Sequence, residues 1–209
     1  MKIDFVSDVV CPWCLVGLKS LEAAVAKLNG EVTADLHFQP FELNPQMAPE
    51  GQDIVEHIQE KYGPTADIGR SQEALRERGA ALGFRFDFQR RSRIYNTFDA
   101  HRLLHWAGNE GKQHALKNAL FTAYFAEGRD VSNRDVLASV AASVGLDEQR
   151  AREILASDEF TQQVRERERF YTGLGIQAVP SVIINDRHLI QGGQPTEVFT
   201  QALRQLAGR

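Results

Sequence analysis

The hydrophobic positions near the start of the chain change period twice. In Met1-Lys2-Ile3-Asp4-Phe5-Val6, Ile3 and Phe5 fall on one side of an extended run, the two-residue spacing of a strand. From there Leu15, Leu18, Leu21, Val25 and Leu28 recur every three or four residues, which predicts an amphipathic helix. Pro12 suits its first turn and Asn29-Gly30 its end. Val32 to Phe38 then alternates apolar and polar, predicting a half-buried strand. The chain therefore opens β-α-β, with Cys11 at the first strand-to-helix junction.

Pro40, Pro45 and Pro49 interrupt the pattern, and from Asp53 to Gly175 nearly every signal is helical. Helices are predicted from Asp53 to Tyr62, Thr65 to Leu82, around Phe98, Leu103, Leu104 and Trp106, and from Lys112 to Phe125. Asn133 reads as the N-cap of a further helix ending at Gly145, followed by Asp147 to Leu155 and Ser157 to Tyr171. Phe84-Arg85-Phe86-Asp87-Phe88 alternates like a strand or an extended loop. The alternating charges of Arg165 to Arg169 predict a solvated helix face.

The last segment returns to strand character. Val182-Ile183-Ile184 and His188-Leu189-Ile190 flank Asn185-Asp186-Arg187, a hairpin signal, and Gly192-Gly193 makes a turn. Pro195 can start a final helix carrying Val198, Phe199, Ala202, Leu203 and Leu206. Neither end has enough strands for a stable sheet alone. The economical solution is an α/β fold in which residues 1–50 and 176–209 pair into one four-stranded mixed sheet, with residues 51–175 inserted as a large all-helical domain.

Composition narrows the function. Hydrophobic residues make up 43% and charged residues 25% of the 209, the balance of a soluble globular protein. A net charge of −4 gives no attraction to nucleic acid or to an anionic membrane, and no apolar run is long enough to span a bilayer. The N-terminus lacks the basic and apolar pattern of a signal peptide, so a cytoplasmic location is expected, where thiols are kept mostly reduced.

The only two cysteines, Cys11 and Cys14, enclose Pro12 and Trp13. A helix N-terminus presents free N–H groups and a partial positive charge, which favour the nucleophilic thiolate at Cys11. Cys14 lies one helical turn on, spaced to attack a mixed disulfide formed at Cys11 and release the product. Pro12 rigidifies the turn, and Trp13 offers apolar contact at the rim. C-x-x-C can also be half a zinc site, but zinc takes four ligands. No third cysteine exists and the six His are scattered over positions 37, 57, 101, 105, 114 and 188, so no metal is expected. At the far end, Val179-Pro180 precedes a predicted strand that this topology sets beside the Cys11 junction.

With these residues in view, the chain resembles the DsbA-like branch of the thioredoxin superfamily, and within it the cytoplasmic FrnE-like polyketide oxidoreductases. The resemblance is carried by Cys11-Pro12-Trp13-Cys14, Phe41 to Pro45, Asn96 to Leu103, Gly175 to Ser181 and Gly192-Gly193-Gln194. It implies a thioredoxin fold and a thiol–disulfide oxidoreductase or disulfide isomerase with no bound cofactor. Its substrates would be protein, peptide or small-molecule thiols and disulfides, with glutathione a candidate co-substrate and a homodimer a candidate assembly. It also implies a cis Val179-Pro180 peptide, a Val179 backbone that pairs with extended substrate, and Asn44 and His101 lining the cleft between sheet and insert. Gly193 and Gln194, at the last helix N-terminus, would lie where glutathione-using relatives hold a carboxylate.

Two departures stand out. Many thioredoxin-fold enzymes bury an acid where this chain has Phe5; Asp4 and Asp8 flank it, Asp4 on the opposite strand face, so the proton of Cys14 would leave through water or Asp8. Trp13 replaces the His often found between the cysteines, which removes a cation from beside Cys11. The competing expectation is a glutathione-dependent transferase or isomerase like the kappa-class glutathione transferases and 2-hydroxychromene-2-carboxylate isomerases, but those typically carry Ser in place of the first Cys. A third is a binding module without turnover, a redox-sensing partner or a dimer sharing a metal through the two cysteines.

Overall fold

The structure, a computed structural model, describes residues 1–208; Arg209, the last residue of the second predicted flank, lies outside them. In chain order, β1 (Lys2–Ser7), α1 (Pro12–Lys27) and β2 (Asp35–Pro40) form the opening unit. The short strands β3 (Gln52–Asp53) and β4 (Arg93–Ile94) make a small ribbon around helices α2 (Ile54–Tyr62) and α3 (Ile68–Ala81). Then come α4 (Phe98–Asn109), α5 (Gln113–Phe125), α6 (Arg134–Ser143), α7 (Glu148–Ala156) and α8 (Thr161–Gly173). The hairpin β5 (Ser181–Ile184) and β6 (His188–Gln191) and the helix α9 (Thr196–Ala207) close the described chain.

The main sheet has the order β2-β1-β5-β6. β1 is central, parallel to β2 and antiparallel to β5, so the sheet is mixed and pairs the two ends of the chain. This is the thioredoxin-like arrangement with a large helical insertion between β2 and β5. Phe5 faces α1, its ring near Gly17 and edge-on to Phe38. Val6 faces the other way, packing with Tyr171 of α8 and Ile176. One buried apolar cluster runs from Ile3 and Phe5 through Leu120 and Ile154 of the insert to Leu203 of α9.

Several predicted boundaries move, each for a local reason. The second strand begins at Asp35 rather than Val32, because β1 pairs with it only from Lys2↔Asp35 to Ser7↔Pro40, leaving 32–34 beyond the ladder. Pro40 is tolerated because β2 is an edge strand. α3 starts three residues late, where Asp67 caps it by accepting from Arg70 N at 2.9 Å. α8 starts at Thr161, after Phe160 adopts a left-handed conformation with φ 63°. Phe84 to Phe88 is an extended loop: Phe86 stacks on Phe88 at 5.2 Å and meets Phe125 edge-on at 5.4 Å. The charged run of α8 is solvated on one side only. Arg165 lies 3.7 Å from the Phe98 ring and pairs with the buried Glu42 carboxylate, so the prediction of a wholly solvated face is corrected for Arg165 and Glu168.

The free edge of β2 is closed by one side chain. Gln113, at the start of α5, accepts from Phe38 N at 2.9 Å and donates to Phe38 O at 3.1 Å, mimicking a neighbouring strand. Gln113→Leu leaves both groups unpaired at a nearly buried position. We expect a loss of about 2 kcal/mol or more, read as a lower urea midpoint with an unchanged m-value.

Candidate active site

The site is built where β1 ends. Four residues, Asp8 to Cys11, carry the chain from the central strand to α1, and Cys11 is the helix N-cap. Its Sγ accepts from Cys14 N at 3.3 Å and lies 3.8 Å from the Val179 carbonyl oxygen, to which the thiol can donate. The Val179–Pro180 peptide bond is cis. The Pro180 ring lies against α1 at Gly17, where an added Cβ would come within 3.0 Å of Pro180 Cγ and 3.4 Å of Gly193 Cα. A glycine there lets α1, the Val179–Pro180 turn and the Gly192-Gly193 turn close on one another.

The two thiols are free and differ in surroundings. Cys11 faces a cavity of about 430 Å³, with Pro12, Trp13 and Val179 also on its walls. Trp13 is 36% exposed, at the rim. Cys14 is fully buried behind Cys11. Burial pushes the Cys14 thiol well above its ordinary value, and its hydrogen bond to Cys11 adds to this; the Asp8 backbone N–H and the charge of Lys117 act in the other direction. Cys14 is thus a neutral thiol at neutral pH.

The insert supplies the opposite wall through Ile54 and Ile58 of α2, Leu75 of α3, Phe88 and Ile94. Asn44 lines this cavity, with its Nδ2 buried and without a hydrogen-bond partner. His101 does not line this cavity, although it too sits between sheet and insert. Its Nε2 lies 3.3 Å from Asp8 Oδ1 and 3.1 Å from Phe41 O, behind the loop that carries Cys11. Both partners are acceptors, so Nε2 carries the proton. His101 instead borders a second cavity of about 230 Å³ with Lys117 and Arg167. Gly193 and Gln194 also stand outside the Cys11 cavity. Gly193 O accepts from Arg78, Gln194 N donates to Gly192 O at 2.8 Å, and the α9 N-cap is Pro195, which has no N–H. The free donors expected there for a carboxylate are therefore reduced.

Asp8 is buried, with Oδ1 accepting from Val9 N at 2.7 Å and Oδ2 from Leu43 N at 2.8 Å. Burial alone would raise its carboxyl; the His101 contact and the Leu43 N–H reverse this and hold it below the usual carboxylate range. With both oxygens engaged it is a weak proton acceptor, so the route suggested for the Cys14 proton through Asp8 is not favoured. Asp4 lies on the opposite strand face, accepting from Gln39 Nε2 at 2.6 Å. Among the described residues, no group of three or more His, Cys, Asp or Glu is placed to hold a metal ion.

Two residues near the dithiol escape the sequence reading. Arg91 lies in a loop, in a polar run with no periodicity, and lines the Cys11 cavity. Lys117 is 1% exposed on α5, its Nζ 5.0 Å from the Phe121 ring centre. A signal for Lys117 did exist, since it falls on the apolar stripe with Phe121 and Tyr124 at spacings of four and three.

Three comparisons place these features among known proteins. The profile of the DSBA-like thioredoxin domain matches residues 2–204. The uncharacterized protein YwbO of Bacillus subtilis is 29% identical over 204 residues, 97% of this chain and 96% of that protein. The crystal structure of a probable DsbA oxidoreductase from Streptomyces coelicolor superposes with a TM-score of 0.90 at 33% identity, covering 100% of this chain and 91% of that one. The cytosolic disulfide reductase DsbM from Pseudomonas aeruginosa, solved with glutathione, shares the fold, with a TM-score of 0.67 at 18% identity and 99% of each chain covered.

Burial lowers the Lys117 amine to about 8, opposed by the nearby Asp8 carboxylate. The unfolded amine titrates near 10.4. Below the folded value the burial cost is fully present; between the two values the unfolded chain binds more protons, so stability gains a contribution that rises with pH. Lys117→Met should therefore be more stable than the parent at pH 7 by on the order of 1–3 kcal/mol. The difference between the two proteins should shrink as pH rises from about 8 to 10.4, as measured by urea unfolding across that range.

Proposed function

We propose, from the premise that the chain belongs to the DSBA-like thioredoxin domain family, that it is a thiol–disulfide oxidoreductase with Cys11 as nucleophile and Cys14 as resolving thiol. The observation that carries this is the asymmetry of the pair: Cys11 Sγ caps a helix and faces a cavity, and Cys14 is buried one turn behind it. The Cys11 thiolate attacks one sulfur of a substrate disulfide, forming a mixed disulfide and expelling the other sulfur as thiolate. Cys14 loses its proton and attacks Cys11 Sγ, releasing the second substrate thiolate and leaving a Cys11–Cys14 disulfide. The substrate gains two electrons and the enzyme loses two. The Lys117 charge favours the thiolate of Cys14 during the second step.

The exchange runs backwards with a dithiol substrate, and net direction follows the reduction potential against the surrounding thiol pool. Pro12, Trp13 and the Val179 backbone supply the substrate-facing surface, with the Val179 carbonyl opposite Cys11 as an acceptor for an extended peptide or glutathione. The glutathione in the Pseudomonas structure makes that tripeptide the first co-substrate to test. We assign the reaction to the cytoplasm by analogy with that cytosolic protein; among the described residues no helix is long and apolar enough to cross a membrane.

Cys14→Ala should accumulate a covalent mixed disulfide at Cys11 when mixed with oxidised glutathione, and Cys11→Ala should form none, both read by intact-protein mass spectrometry under non-reducing conditions. Sustained turnover of a glutathione conjugation or isomerisation by Cys14→Ala would instead favour transferase chemistry.

A further inference from the structure

Arg91 and Asn44, which both line the cavity in front of Cys11, carry three buried donor atoms with nothing to donate to: Arg91 Nε, Arg91 Nη1 and Asn44 Nδ2. A buried polar atom left unpaired costs about 1–3 kcal/mol, and more when charged. Arg91 is only 7% exposed. Its guanidinium is held by aromatic rings, 5.1 Å from the centre of Phe88, 5.2 Å from Phe125 and 5.5 Å from Tyr124. Rings occupy its surroundings but accept no in-plane hydrogen bond from Nε or Nη1. Each of those atoms belongs to one of the two N–H forks of the group, the geometry that matches a carboxylate.

The charges around the cavity point the same way. Lys61 lines it with Arg91, and its one carboxylate, Asp67, is committed to capping α3 through Arg70 N. A volume of about 430 Å³ suits a small molecule. Ile54, Ile58 and Leu75 give an apolar stretch.

We propose that Arg91, assisted by Asn44, anchors a carboxylate of the substrate, so that the molecule presented to Cys11 is a small disulfide or thiol bearing an acidic group on a short carbon chain. The proposal rests on the dithiol reading above for the reacting atoms, and on the orphaned donors for the anchor. Arg91 is a binding residue and takes no part in the exchange of electrons.

The test compares two small disulfides on the full-length protein, with excess reduced glutathione returning the Cys11–Cys14 disulfide to the dithiol after each turnover: dithiodipropionate, which carries carboxylates, and hydroxyethyl disulfide, which is neutral. The expected result is a kcat/KM preference for the acid of about tenfold or more, expressed in KM, the worth of one charge-assisted hydrogen bond. In Arg91→Met the ratio should fall to near one. In Asn44→Asp, which sets a like charge against the ligand and leaves the aromatic cage intact, it should fall below the parent value. Equal KM for the two disulfides in the parent protein, or equal losses on both in Arg91→Met with Asn44→Asp unchanged, would overturn the anchor. If the parent exchanges neither of these disulfides nor oxidised glutathione, the dithiol reading fails, and the anchor is decided by binding alone. Methylthiopropanoate should then raise the parent melting temperature where its methyl ester does not, with the difference absent in Arg91→Met. No such difference would overturn it.

Discussion

At the junction between β1 and α1, the Asp8 carboxylate accepts from Val9 in the junction itself and from Leu43 in the loop after β2, and meets the His101 ring on α4. Burying a carboxylate is costly unless hydrogen bonds compensate it. These three partners come from three separate parts of the chain, so the compensation exists only when all three are in place. The placement of Cys11 depends on this. The loop from Asp8 to Cys11 is too short to wander once its first residue is fixed, and Cys11 N itself bonds Asp8 O at 3.3 Å. Asp8 therefore acts as an anchor, the part sequence reasoning had left open to a proton acceptor.

From that anchor follows the different treatment of two chemically identical side chains. Cys11 takes the N-cap, where Cys14 N points at its sulfur and the cavity lies in front. Cys14, three residues on, is carried by the helix into the packed face between α1 and the sheet, where burial keeps its proton on. One sulfur faces the cavity and the other is packed a turn behind it. The helical insert then contributes what the sheet cannot: an apolar wall from α2 and α3, a buried cation from α5, and Arg91 from the loop before β4.

The opening β-α-β unit, the closing hairpin and the dithiol were legible in the sequence, because each is written in local period or in a local cap. The Leu15-Leu18-Leu21 stripe with Pro12 put Cys11 at a helix start, and Asn133 marked another helix start by capping chemistry that needs no tertiary context. What was not legible depends on contacts between distant segments. Val32 to Phe38 alternates correctly, yet the ladder with β1 selects residues 35–40. That His101 meets Asp8 and Phe41 O, and so borders the smaller cavity between sheet and insert rather than the one before Cys11, depends on three distant segments. Arg91 looks like any surface arginine until Phe88, Tyr124 and Phe125 are assembled around it. The charged run on α8 reads as uniformly solvated because nothing in its own pattern reveals that Glu42 waits for Arg165.

In the proposed chemistry Cys11 and Cys14 form a single two-electron couple. Its most direct test is equilibration of the full-length protein in glutathione buffers of graded ratio, followed by acid quenching, alkylation and mass measurement. Both thiols should disappear together in one transition, giving an internal disulfide with no retained glutathione. Thiols that remain alkylatable across the whole range, or a stable glutathione adduct on Cys11 beside a free Cys14, would contradict it.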